Sequence, residues 1–280
     1  MKLPSYLIKR IPKSENIKRI RALISDNSIH TVCEAAKCPN VGECFSRNTL
    51  TFMILGKICT RACKFCGVDK GRPHLIDPKE SKKIAAAAKK LKLDYVVVTS
   101  VTRDDLPDGG AGIFAQTISE LKEAKIKCEV LIPDFQGKIE ALKVVLEAEP
   151  LVLNHNIETV PRLYATIRPQ ANYQRSLKLL KSAKRLKPWV YTKSGFMVGL
   201  GETDQEVEEV LYDLKSADCD LVTIGQYLPP SDEHAPLLRF VSPETFEGYK
   251  KIGESLGFIK VFSGPFVRSS YHASNLIREN

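Results

Sequence analysis

No run of about 18 consecutive apolar residues occurs in this chain, which excludes a membrane-spanning helix of ordinary length. The first twenty residues lack the central apolar stretch of a secretory signal. They are basic and contain Ser5 and Ser14, faintly like a transit peptide, but Glu15 and the short distance to Cys33 argue against one. The expected location is the cytoplasm. No block of five or six like charges occurs, although Lys and Arg outnumber Asp and Glu by 42 to 33, for a net charge of +9. An excess spread so evenly gives no indication of a nucleic-acid partner. It does suit encounter with an acidic protein. Internal repeats and low-complexity tracts are also missing. What remains is a globular composition: 43% of the 280 residues are hydrophobic, enough to bury the core of one large domain or two small ones.

The cysteines are the informative residues. Six of the eight fall between residues 33 and 66, while Cys128 and Cys219 sit alone in apolar runs and read as buried small hydrophobes. Without a secretory signal a disulfide framework is disfavoured and metal binding gains weight. The six divide into two sets of three. Cys33, Cys38 and Cys44 are spaced C-x4-C-x5-C; Cys59, Cys63 and Cys66 are spaced C-x3-C-x2-C. Structural zinc closes four ligands around paired cysteines, and ferredoxin-type runs supply four thiolates per cluster. Sets of three fit neither pattern, although zinc stays open as an alternative. Three thiolates on a four-iron cluster leave one iron for another ligand.

Apolar β-branched runs at 52–55, 94–99, 127–132, 150–154, 190–198 and 220–226 read as buried strands. Helical patterns alternate with them at 112–124, 137–147 and 173–187. Asp77-Pro78-Lys79-Glu80 and Thr203 with Glu206 read as capping boxes, and Ser242-Pro243 opens a last helix that Gly257 ends. The second box is followed by Val207, Val210, Leu211 and Leu214, an apolar helix face. Six β-α units are too few for a closed eight-stranded barrel. A doubly wound sheet has the same alternation. Polar residues gather where the strands end: Thr99 onward, Asn154 to Glu158, Lys193, Gly199 to Glu202, and Gln226 onward. That is the end at which parallel barrels place their chemistry.

The segment from Phe52 to Gly67, an apolar strand followed by the C-x3-C-x2-C triplet, resembles the radical S-adenosylmethionine (radical SAM) superfamily. Thr31 to Cys44 and Gly264 to Ala273, with Arg268-Ser269-Ser270-Tyr271, are similar to the auxiliary-cluster segment and C-terminal motif of the lipoyl synthase family. Asp104 to Gly110, Asn154 to Thr159, Lys193 to Gly195 and Gly225 to Leu228 match as well, so the likeness spans residues 31–273. It implies an α/β fold: an open, partial six-stranded parallel β/α barrel over 51–257. A 1–50 extension carries the auxiliary cysteines, and a 258–280 extension carries the C-terminal motif; both are expected to wrap the barrel.

The resemblance also implies two 4Fe–4S clusters and S-adenosylmethionine. Cys59, Cys63 and Cys66 would hold the cluster whose open iron chelates S-adenosylmethionine, the source of a 5′-deoxyadenosyl radical. Such a radical is needed because the target is an unactivated C–H bond, and the cofactors carry that chemistry. Cys33, Cys38, Cys44 and Ser270, or else Ser269, would hold an auxiliary cluster that gives up its sulfur. Phe65, Thr99, Asn154, Arg168 and Gln226 are the implied cofactor contacts; Phe65 also reads as core packing and Arg168 as a surface salt bridge. The glycine pair Gly109-Gly110 matches one that meets the methionine amino group, though Ala111 stands where Glu often follows. His155 is read as a structural hydrogen-bonding histidine. The implied reaction inserts sulfur at C6 and C8 of an octanoyl-lysine on a lipoyl carrier domain, using two S-adenosylmethionines. The implied partners are 2-oxoacid dehydrogenase subunits or the glycine cleavage H protein, an electron donor and an iron–sulfur carrier, with no nucleic acid and no membrane. The alternatives are a radical methylthiotransferase, the related biotin synthase, and a non-catalytic iron–sulfur or zinc protein.

Overall fold

The computed structural model describes residues 2–9, 12, 14–271 and 273–276. Met1, Arg10, Ile11 and Lys13 of the basic N-terminal stretch, His272 of the C-terminal motif and residues 277–280 lie outside the described residues. The strands are β1 (His30–Thr31), β2 (Thr51–Ile54), β3 (Ile58–Cys59), β4 (Asp69–Lys70), β5 (Tyr95–Ser100), β6 (Lys127–Leu131), β7 (Val152–Asn154), β8 (Tyr191–Val198), β9 (Leu221–Gln226) and β10 (Lys260–Gly264). The helices are α1 (Glu15–Asp26), α2 (Val32–Ala35), α3 (Val41–Ser46), α4 (Glu80–Lys90), α5 (Ala111–Glu123), α6 (Ile139–Glu147), α7 (Tyr164–Ile167), α8 (Tyr173–Leu186), α9 (Asp204–Ser216) and α10 (Pro243–Ser255).

All six strands expected from the sequence are present, as β2, β5, β6, β7, β8 and β9. Parallel strands bury both faces, so they read as continuous apolar runs. β2 and β9 are buried at every position. Each flanking segment contributes a strand. Lys260–Gly264 adds β10 parallel to β9, with Ser263 opposite Ile224, and His30–Thr31 pairs antiparallel with β2. The strand order begins at β1 and ends at β10, so the ladder is open.

The contacts divide the chain into two compact units: residues 11–61, 67–153 and 272–280, and residues 1–10, 62–66 and 154–271. The division falls within the strand–helix repeats, between Leu153 and Asn154, and not at 50/51 or 257/258. In the first unit β2, β5 and β6 run parallel, with Met53 opposite Thr99 and Val98 opposite Val130. In the second, β8, β9 and β10 run parallel, with Phe196 opposite Ile224.

Local signals act as their chemistry dictates, with one exception. Thr203 and Glu206 close a reciprocal capping box, and Val207, Val210, Leu211 and Leu214 of α9 are fully buried. Each such side chain contributes about 1.5–3 kcal/mol of apolar burial. Ser242 caps α10, and Gly257 follows its end with φ +82°. The exception is Asp77 to Glu80. Asp77 accepts from the Lys79 N–H at 2.9 Å, but α4 begins only at Glu80. The Glu80 carboxylate does not turn back to its own cap; it takes the N–H groups of Leu55 at 2.7 Å and Gly56 at 3.4 Å. Leu55 has φ +68°, so Glu80 secures a strained turn at the end of β2, where the triplet loop begins.

Candidate active site

In the first unit, Cys33 lies in α2 and is buried; Cys38 and Cys44 are half-buried. Backbone bonds chain the segment together: Cys38 N–H to Cys33 C=O at 3.0 Å, Val41 N–H to Cys38 C=O at 3.2 Å and Cys44 N–H to Asn40 C=O at 2.8 Å. Burial pushes the Cys33 thiol up to about 12, and the nearby Cys38 and Cys44 thiols push the same way. A bound cation reverses that tendency and draws the protons off. Among the described residues no three His, Cys, Asp or Glu side chains are arranged to hold a single metal ion. Three thiols within electrostatic reach of one another in one short segment suit three corners of a four-iron cluster.

His30, beside this segment on β1, is held below 6.5 by burial and by Lys57 and Lys83. The folded protein therefore takes up that proton less readily than the unfolded chain. Its contribution to stability is complete above 6.5 and is lost as the pH falls toward the folded value. Thermal unfolding should shift down through that window, and should shift less in His30→Gln; equal shifts in both proteins would acquit His30.

Cys59 ends β3. Its Sγ accepts two backbone N–H bonds, from Arg61 at 3.4 Å and Thr102 at 3.3 Å. Such bonds to a ligand sulfur tune a cluster's potential. Arg61, 5% exposed, donates to both Asp104 oxygens at 2.7 and 2.9 Å and to Asp134 at 2.6 Å. Thr60 completes the tie: its N–H reaches the Thr102 carbonyl at 3.0 Å, and its Oγ1 accepts from Asp104 N–H at 3.1 Å. Thr60, Arg61 and Asp134 were not singled out in the sequence, and Asp104 only as the first residue of a matching segment. The available signal was a charged residue inside the cysteine loop, matched by acidic residues just past β5 and β6.

Other expectations fall as follows. The Thr99 hydroxyl donates to Leu131 C=O at 3.1 Å. Asp108 accepts from Gly110 and Gly112 N–H groups at 2.9 Å, so its carboxylate caps the start of α5 just after the glycine pair.

In the second unit, Cys63 and Cys66 are half-buried, and Phe65 packs against Ile167, Leu200, Tyr227 and Ala235. His234 bonds the Cys66 carbonyl at 3.1 Å, and Ala62 N–H donates to Gln170 at 2.6 Å. Arg168 is no surface salt bridge: it is 9% exposed and donates to the carbonyls of Asn156 and Ile157 at 3.1 and 3.0 Å. Arg168 Nε, Asn156 Oδ1 and Ser194 Oγ are buried with no hydrogen-bond partner. Orphaned buried polar atoms are costly and rare; here Asn156 follows β7, Ser194 lies within β8 and Arg168 directly follows α7. That is a polar surface suited to a ligand such as S-adenosylmethionine. His155 bonds Ser176 Oγ at 2.9 Å, the structural role expected of it. Gln226 spends its whole amide internally. Its Nε2 reaches the carbonyls of Val198, Tyr227 and Arg239, and its Oε1 accepts from Val241 N–H at 2.8 Å. Its geometry is that of a clasp on the 237–241 loop.

The C-terminal motif forms a turn, Tyr271 N–H to Arg268 C=O at 3.0 Å. It lies so close to β9 that a Cβ on Gly225 would meet Val267 O at 2.1 Å and Arg268 Nη1 at 3.1 Å. Gly225→Ala should displace the turn and cost about 1–3 kcal/mol, as overpacking does. A thermal unfolding midpoint matching the wild type would show the approach to be less tight.

The sequence pattern of the radical SAM superfamily matches residues 53–214. Strand–helix repeats, open ladder and cysteine loop together define a radical SAM enzyme. Lipoyl synthase of Caldanaerobacter subterraneus subsp. tengcongensis is 57% identical over 271 residues, covering 96% of this chain and 95% of the relative. That of Neisseria gonorrhoeae is 50% identical over 282 residues, covering 100% of this chain and 86% of the relative. This chain belongs to the lipoyl synthase family, whose cofactors are S-adenosylmethionine and 4Fe–4S clusters. Among solved structures, SuiB of Streptococcus suis bound to its precursor peptide SuiA aligns with TM-score 0.60 at 11% identity, over 88% of this chain and 52% of that one. Methylornithine synthase aligns with TM-score 0.51 at 14% identity, over 95% and 92%. These two likenesses concern the fold. No helix among the described residues is long and apolar enough to cross a membrane.

Proposed function

We propose that this lipoyl synthase inserts sulfur at C6 and C8 of an octanoyl-lysine carried by a lipoyl domain, with its two cysteine sets dividing the work. The observation that carries the reading is the pairing of two separate three-cysteine sets with identity of 50% or more to lipoyl synthases across almost the whole chain. When bound, the cofactors supply a deoxyadenosyl radical at the Cys59–Cys66 loop and two sulfur atoms at the Cys33–Cys44 segment.

The chain's own residues bind, orient and shield. Cys59, Cys63 and Cys66 would hold one cluster by three thiolates, with S-adenosylmethionine as its further ligand. Arg61 with Asp104 and Asp134 fixes the backbone whose N–H groups point at Cys59 Sγ. Asn154 and Arg168 would contact S-adenosylmethionine, Phe65 and Thr99 would line its place, and Gln226 would hold the 237–241 loop beside them. Cys33, Cys38 and Cys44 hold the auxiliary cluster, with Ser270 as its oxygen ligand. A serine oxygen is a harder ligand than thiolate, and that position is suited to letting an iron go. Octanoylated 2-oxoacid dehydrogenase subunits or glycine cleavage H protein, a protein electron donor and an iron–sulfur carrier are the partners this chemistry needs.

The test gives the anaerobically loaded enzyme an octanoyl-lysine peptide, S-adenosylmethionine and dithionite, and follows the peptide by mass spectrometry. The expected result is a dithiolane or dithiol product with about two deoxyadenosines per product, one per C–H bond broken. Deoxyadenosine with no sulfur in the peptide would overturn the substrate assignment.

A further inference from the structure

Two adjacent serines stand in the C-terminal turn, and their hydroxyls are treated differently. Asn156 Nδ2 donates to Ser269 Oγ at 2.6 Å. No hydrogen bond engages the Ser270 hydroxyl among the described residues. We propose that Asn156 is a positioning residue: by holding Ser269 it fixes the Arg268–Tyr271 turn and leaves Ser270, and not Ser269, as the serine of the motif whose hydroxyl is open to serve as the cluster's ligand. This rests on the reading of Ser270 as that cluster's oxygen ligand.

Asn156 is itself held from several sides, which is what a positioning role requires. The same Nδ2 donates to Glu158 Oε1 at 3.0 Å, so the amide nitrogen is the end that faces both acceptors. Its oxygen points toward Gly195, where a Cβ would approach it to 3.0 Å. Its backbone carbonyl accepts from Arg168 at 3.1 Å. The far side of the turn is gripped as well: Lys9 Nζ lies 4.0 Å from the Phe266 ring centre and 5.0 Å from that of Tyr271, in cation–π range. With Ser269 tied down and Val267 pressed on Gly225, rotation of the turn that would exchange the two serines costs the Asn156 bond.

The experiment compares wild type, Asn156→Ala, Ser269→Ala and Ser270→Ala, each as the full chain reconstituted anaerobically with 57Fe and sulfide. The readouts are Mössbauer spectra and the rate at which a chelator extracts iron. Ser270→Ala defines the spectrum and rate without the oxygen ligand. Asn156→Ala and Ser269→Ala should both shift from the wild-type spectrum toward that reference. Both should lose iron roughly five-fold faster than wild type, the loss that one hydrogen bond of ordinary net strength gives. If Ser270→Ala differs from wild type while the other two match it, the role of Asn156 is overturned and the ligand reading stands. A shift in Asn156→Ala alone, with Ser269→Ala unchanged, overturns it too. If Ser270→Ala matches wild type, the ligand reading itself fails and the proposal falls with it. Should Asn156→Ala fail to fold, Ser269→Ala, which removes only a half-buried hydroxyl, decides the matter.

Discussion

Alanine at Cys59, Cys63 or Cys66 should reduce deoxyadenosine formation to background, while alanine at Cys33, Cys38 or Cys44 should leave deoxyadenosine and abolish sulfur insertion. The loss on either side is expected to exceed roughly a thousand-fold, because each set holds the cofactor that performs its step. The asymmetry is the content of the prediction. Both sets are free thiols, and each lies within one short stretch of chain. What separates them is setting. Cys59 Sγ takes two backbone N–H groups at the end of β3, whereas Cys33 is buried in a short helix whose thiol resists ionisation. Iron analysis with product analysis on the six variants would check it. Loss of both products from all six would mean that the sets do not work separately.

The second large effect is expected at Arg61, whose guanidinium is spent on Asp104 and Asp134. Arg61→Met should destabilise the protein by about 3–5 kcal/mol, the cost of stranding a buried charge. Asp134, 1% exposed, loses its Arg61 bond, and Asp104 loses both of its bonds. An unfolding midpoint lower by about 10 °C follows for a chain of this size. Because Arg61 stands two residues after Cys59, the surviving protein should also load less iron. Adding Asp134→Asn to Arg61→Met removes the stranded carboxylate, and part of the stability should return. A single variant as stable as wild type would show that the triad contributes nothing net.

What could be read in advance divides along a physical line. Chemistry written locally was legible. The cysteine spacings, the Thr203–Glu206 box and the apolar face of α9 each lie within one loop or a few helical turns. The six parallel strands were legible because burial on both faces makes each a short apolar run. β10 was not: Lys260, Ser263 and Gly264 interrupt the apolar pattern, and only pairing with β9 makes it a strand. Glu80 looked like a helix cap because that local motif is common, but a tertiary partner, the strained turn at Leu55, claims its carboxylate. Arg61 and Asp134 are 73 residues apart, and Asn156 and Ser269 are 113 apart. No local pattern reports such pairs. Gln226 shows the converse: a polar residue at a strand end invites a ligand role, and its clasp on its own fold could not be read from the sequence.

The central claim is that the Cys33, Cys38 and Cys44 segment holds the sulfur that ends in the product. The most direct measurement is a single turnover by enzyme reconstituted with 34S-sulfide, run in unlabelled buffer with the octanoyl-lysine peptide and read by mass spectrometry. The account predicts a product with both sulfurs labelled and an enzyme that has lost iron from its auxiliary cluster. An unlabelled product made in full yield, with that cluster intact, would contradict it.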